Sequence, residues 1–74
     1  MKKIQDLDWF EIWQDESAEI GFMVFDATSK VGQFRTLRNA LTWIAERPDP
    51  KTGDRGPIRH ARHIAKCLLA QDAA

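Results

Sequence analysis

Asp8-Trp9-Phe10-Glu11-Ile12-Trp13-Gln14, followed after a polar turn by Ile20-Gly21-Phe22-Met23-Val24-Phe25, makes two apolar-rich runs around which the rest of the chain is arranged. Aromatic and β-branched residues suit the pleated, half-buried surface of a sheet. Two such runs around Asp15-Glu16-Ser17-Ala18-Glu19 predict a β-hairpin, with strands at residues 8–14 and 19–26. Strand side chains alternate between faces. One set is Phe10, Ile12, Ile20, Phe22 and Val24, with no charge among its members, and it is expected in the core. The other is Trp9, Glu11, Trp13, Gly21, Met23 and Phe25. Glu11, with Asp15 and Glu19 beyond it, marks that second set as the outward face.

The rest of the chain supplies cover for one face only. Residues 1–7 read as a short lead or the fraying start of the first strand. Residues 27–30 form a turn, which Asp26 can brace by bonding the backbone. A third strand at 31–35 completes an antiparallel meander over residues 8–35. The period then changes. Leu37, Ala40, Leu41 and Ile44 recur at helical spacing. Thr36 can cap that helix by accepting from the amide of Arg38 or Asn39. Pro48 stops it, so the first helix occupies residues 36–47 with its cap. Residues 48–56 are a breaker-rich loop. Pro57 suits a helix's first turn, and Ile58, Ala61, Ala65, Leu68 and Leu69 form one apolar stripe over residues 57–71. Residues 72–74 are a tail. The expected class is α+β: a three-stranded antiparallel sheet followed by two helices packed on one of its faces, βββαα. Leu37, Leu41, Ile44, Ile58, Ala65 and Leu68 should meet the inner face of the sheet.

Seventy-four residues make a single domain with a small core, because a chain of this size buries only about 60% of its unfolded surface. Charged residues at 30% and hydrophobic ones at 43% are ordinary for a globular domain. The one cysteine, Cys67, cannot form an internal disulfide, which suits a reducing compartment. No apolar run is long enough to cross a membrane, and the basic start Met1-Lys2-Lys3 is not followed by an apolar signal core. The expected location is the cytoplasm. Net charge is zero, yet it is divided. Residues 1–29 hold two lysines against seven acids, a net of −5, and residues 30–74 hold nine cations against four acids, a net of +5. Such a division favours an oriented encounter with a charged partner, although solvated helix faces alone also produce it.

Three groups of residues are candidates for function. Trp9, Glu11, Trp13, Met23 and Phe25 make an outward aromatic patch with an acidic rim. A small monomer seldom leaves such a patch bare, and tryptophan dominates binding energy at protein interfaces. A shifted strand, the lead at 4–7 folding back, or a helix crossing over would each cover it instead. Lys51, Arg55, Arg59, Arg62 and Lys66 make a second candidate, a basic flank at the start of the second helix where an anion or nucleic acid could bind. Zero net charge and the acidic first half weigh against it. His60, His63 and Cys67 share one side of that helix and are zinc-ligand types. With Asp54 the nearest fourth ligand and no second Cys or His pair, no metal site is expected. No acid–base pair or glycine-rich phosphate loop appears, so neither catalytic residues nor a cofactor are expected.

The order of elements resembles one family. The run at 19–26, then Ser29-Lys30-Val31-Gly32-Gln33-Phe34-Arg35, the helix with Leu41 and Trp43, and the helix at 56–69 after a Pro/Gly loop are similar in order and spacing to small phage-encoded anti-CRISPR proteins. One of these inhibits the type I-F surveillance complex and is an antiparallel sheet backed by two helices. The resemblance covers residues 8–71 and is architectural. That family's contact tyrosines have no counterpart, because this chain contains no Tyr, and no contact residue is carried over. The resemblance implies a small rigid inhibitor that blocks target recognition by occupying a basic protein surface on the complex. The expected function is therefore a non-enzymatic protein-binding module of phage or mobile-element origin, acting in the host cytoplasm. A nucleic-acid-binding protein using the second helix, and a homodimer formed through the outward sheet face, are the alternatives.

Overall fold

The computed structural model describes residues 1–73, with side chains to residue 71. Its elements run β1 (Lys2–Leu7), β2 (Phe10–Gln14), β3 (Phe22–Phe25), β4 (Lys30–Phe34), α1 (Leu37–Ala45) and α2 (Gly56–Ala73). The strands form one antiparallel sheet in the order β1-β2-β3-β4. The class is α+β with two helices, but the sheet has four strands rather than three. The molecule measures 37 × 32 × 15 Å, the thickness of one sheet and one helix layer.

The additional strand is β1. Its sequence, Lys-Lys-Ile-Gln-Asp-Leu, hides its parity because the register shifts between Lys3 and Gln5. That bulge lets Ile4 and Leu7, three residues apart, both pack toward the core. Leu7 is wholly buried. Lys2, Lys3 and Asp6 are exposed on this edge strand, where charge discourages pairing with another chain. A two-residue turn, Asp8 and Trp9, joins β1 to β2, with Leu7 opposite Phe10. Asp8 adopts φ 70°, a left-handed conformation that aspartate tolerates better than bulkier residues. Its amide donates to Asp6 Oδ1 at 3.0 Å, and its own Oδ2 lies 3.0 Å from His60 Nδ1 on α2.

β3 begins at Phe22, three residues later than the pattern of apolar residues suggests. Asp15 is the reason. Its carboxylate accepts from the Ser17 amide and hydroxyl at 3.1 and 2.6 Å, and its amide donates to the Gly21 carbonyl at 2.8 Å. These bonds hold residues 15–21 as a closed loop. Ile20 therefore lies outside the strand and is 38% exposed, not in the core. Gly21 is required by space: a Cβ there would stand 2.3 Å from the Asp15 carbonyl oxygen and 2.9 Å from that of Ala18. At the next turn Asp26 Oδ1 accepts from the Thr28 amide and hydroxyl, both at 2.8 Å, and from the Ser29 amide at 2.9 Å.

Thr36 caps α1 by accepting from the Asn39 amide at 3.1 Å. The helix ends at Ala45, and Arg47 folds back over it. The Arg47 guanidinium sits 3.9 Å from the Trp43 ring centroid, and its Nε donates to the Trp43 carbonyl at 2.9 Å. α2 starts at Gly56, whose amide donates to Asp54 Oδ1 at 2.9 Å, and continues through Ala73. The tail expected at 72–74 thus begins inside this helix, and Ala74 lies outside the described residues.

Both helices lie on one face of the sheet. Leu7, Phe10, Ile12 and Val24 from the strands meet Ala40, Leu41 and Ile44 of α1 and Ala61 and Ala65 of α2, all nearly or wholly buried. Trp43 extends this core toward the β4 edge, edge-on to Phe10 at 5.8 Å between centroids and tilted against Phe34 at 6.0 Å. Burying each large apolar side chain stabilises the fold by about 1.5–3 kcal/mol.

Candidate functional site

With the helices committed to one side, no layer among the described residues covers the other side of the sheet. Register assigns its members. Glu11 stands opposite Phe25 and Asp6, and Trp13 stands opposite Met23 and Lys3. Gln33 of β4 continues the row beside Met23. Trp13 and Phe25, diagonal neighbours on adjacent strands, meet edge-to-face with centroids 6.4 Å apart and planes at 75°. Both are half-buried. The Trp13 indole N–H donates to Glu11 Oε1 at 3.1 Å, which fixes the ring plane and leaves its faces apolar. Lys3 Nζ stands 3.6 Å from Glu11 Oε2 and 3.8 Å from Asp6 Oδ2. Beside the aromatic pair is a hollow of about 410 Å³, lined by Met1, Glu11, Trp13, Phe25, Asp26 and the turn at 27–29.

Four of the five expected docking residues come together here, with one change of role. Met23 is only 9% exposed, so it floors the patch between Trp13 and Gln33 instead of presenting itself. Trp9 does not join them. The turn at Asp8 removes it from the alternation of β2, and at 37% exposure it borders a separate hollow of about 430 Å³ with Pro50, Gly53, Asp54, Pro57 and Ile58. Sequence reasoning missed Met1, Lys3 and the turn after Asp26 as parts of the outer face. The alternation of Lys3 and Asp6 across the bulge was the only signal for β1, and the bulge broke it.

The basic flank is largely engaged. Asp49, in the loop between the helices, receives Arg59 Nε and Nη2 at 3.1 and 2.7 Å, and Arg62 Nη2 lies 2.8 Å from its other oxygen. The Arg59 hydrogen bond, followed by the charges of Arg59 and Arg62, holds the Asp49 carboxyl below the usual carboxylate range. Arg62 Nη1 also donates to the Arg47 carbonyl at 2.8 Å, and Arg55 Nε donates to the Pro50 carbonyl at 3.2 Å. Arg59 and Arg62 staple the loop to α2, and Arg55 closes the loop on itself. Lys51 and Lys66 are exposed and engage no partner among the described residues.

Cys67 Sγ lies 3.6 Å from His63 Nε2, and His60 is turned to Asp8. Among the described residues no three His, Cys, Asp or Glu side chains converge as metal ligands would. Among these residues no helix is long and apolar enough to cross a membrane. No family model, curated protein or solved structure matches the chain.

Proposed function

We propose that this chain is a small protein-binding module that docks through the helix-free face of its sheet. One observation carries the reading: both helices pack on the opposite face, while Trp13 and Phe25 stand half-buried beside an open hollow on this one. Trp13 and Phe25 are the anchors, Glu11 orients the Trp13 ring, and Met23 supports the floor. An aromatic pair already held by its own contacts loses little side-chain freedom on binding, which favours its use as an anchor. The partner suggested by the resemblance to phage-encoded anti-CRISPR proteins is a protein subunit of a type I surveillance complex, bound so that target recognition is blocked. The engagement of Arg55, Arg59 and Arg62 within the fold favours this reading over phosphate binding along α2.

The test is binding of an immobilised chain to purified type I-F surveillance complex, and to proteins of a bacterial lysate, with Trp13→Ala as the paired control. A partner retained by the wild type and lost by Trp13→Ala supports docking through this face. A partner retained equally by both overturns it. Light scattering over a range of concentration tests whether a second copy of the chain is that partner.

A further inference from the structure

We infer that the hollow beside Trp13 and Phe25 receives an arginine side chain presented by the partner protein. The inference rests on the docking reading above and names what the partner must offer. Two aromatic rings meet nearly at right angles at the wall of the hollow, 75° between planes. An aromatic face attracts a cation positioned over it, most strongly when the ring is tryptophan. Two carboxylates share the same lining, Glu11 and Asp26. Each has one oxygen committed within the fold: Glu11 Oε1 to the Trp13 indole, and Asp26 Oδ1 to the Thr28 and Ser29 amides. Asp26 Oδ2 is spare, and Glu11 Oε2 carries a 3.6 Å ion pair with Lys3 that a guanidinium would share. Nothing among the described residues donates to Asp26 Oδ2, and Lys3 Nζ at 3.6 Å from Glu11 Oε2 is too distant for a good hydrogen bond. The Thr28 amide, with the Ser29 amide and the Thr28 hydroxyl, holds the Asp26 carboxyl below the usual carboxylate range.

A guanidinium fits this set better than an ammonium. It is planar, so it stacks on a ring while its fork of N–H groups reaches carboxylates to the side. An ammonium is compact, strongly hydrated and cannot do both. The chain already stacks one arginine this way, Arg47 on Trp43 at 3.9 Å. The acidic balance of residues 1–29, −5, further favours a cationic visitor at this sheet.

The experiment is a heteronuclear NMR titration of the full chain with N-acetyl-arginine amide, its lysine counterpart and its neutral citrulline counterpart. The expected result is a saturable shift of the Trp13 indole N–H and the Phe25 amide, with arginine bound about fivefold more tightly than citrulline. Glu11→Gln combined with Asp26→Asn retains an oxygen acceptor for the indole and for the turn amides, so the fold is kept, and the preference for arginine should shrink to the part that the Trp13 face supplies. Equal response to citrulline or lysine, no response, shifts centred on Trp9 or α2, or an unchanged preference in the double variant would each overturn the inference. If the arginine preference fails while Trp13→Ala still loses the captured partner, the docking reading stands alone. If Trp13→Ala keeps the partner, the docking reading falls independently.

Discussion

Leu7→Ala tests the element on which the outer face depends, the edge strand β1. Leu7 is wholly buried, pairs with Phe10 across β1 and β2, and sits in one core with Ile12, Ile44 and Ala65. Truncating a leucine in such a place removes transfer free energy and leaves a cavity, together about 2.7–5 kcal/mol. A domain of this size has a total stability of only about 4–11 kcal/mol. The loss therefore consumes a large share of it, and each kcal/mol lowers Tm by about 4–8 °C in a chain this short. The variant should melt at least about 10 °C lower, or be unfolded already at 37 °C. Urea unfolding followed by tryptophan fluorescence measures the change, with the midpoint falling and the slope retained. A loss below about 1 kcal/mol, the range of ordinary surface substitutions and their near neighbours, would mean that residues 2–7 do not pack as a strand. Lys3 and Asp6 would then have no fixed place on the outer face.

Other expectations follow from the same geometry. Gly21→Ala places a Cβ against two backbone carbonyls that cannot swing away, and should cost about 1–3 kcal/mol in urea unfolding. Thr36→Ala removes the bond to the Asn39 amide and should cost about 1 kcal/mol by the same measurement. Asp15, Asp26 and Asp49 all have carboxyls held below their usual range, respectively by the Ser17 hydroxyl, the Thr28 amide and Arg59. The folded state then binds fewer protons than the unfolded chain just below the ordinary carboxylate pKa, so stability is full above about pH 4 and falls as pH drops below it. In Asp49→Asn that acid-side loss should become smaller, as followed by Tm against pH. Trp13→Ala should cost the fold only about 1–2 kcal/mol, less than the 3–5 of a core aromatic, because the ring is half-buried.

The hairpin core was legible because Phe10, Ile12 and Val24 alternate cleanly with residues of the other face, and the helices because Leu37, Leu41 and Ile44 keep their period up to Pro48. Both helix faces and the Thr36 cap lie where the pattern puts them. What the pattern hid was local chemistry that resets the alternation. The bulge after Lys3 turned a β-strand into a run with apolar residues three apart. The positive φ of Asp8 took Trp9 out of β2, and the loop closed by Asp15 and Gly21 took Ile20 out of β3. The basic flank misled for another reason. Arg59 and Arg62 read as free cations on a helix surface, and only the fold brings Asp49 to them. Of the outer patch, Glu11, Trp13, Met23 and Phe25 could be assigned from alternation alone, whereas Met1 and the turn after Asp26 depend on how the strands are joined.

The central claim is that the helix-free sheet face, and not the basic flank of α2, is the docking surface. The measurement that bears on it most directly compares the affinity of a captured partner for Trp13→Ala and for Arg59→Glu, both checked for folding by their melting curves. Loss of about 2 kcal/mol or more at an anchor of this kind, about thirtyfold in Kd, is expected for Trp13→Ala with little change for Arg59→Glu. Retained affinity in Trp13→Ala, with the loss falling on Arg59→Glu, would contradict it.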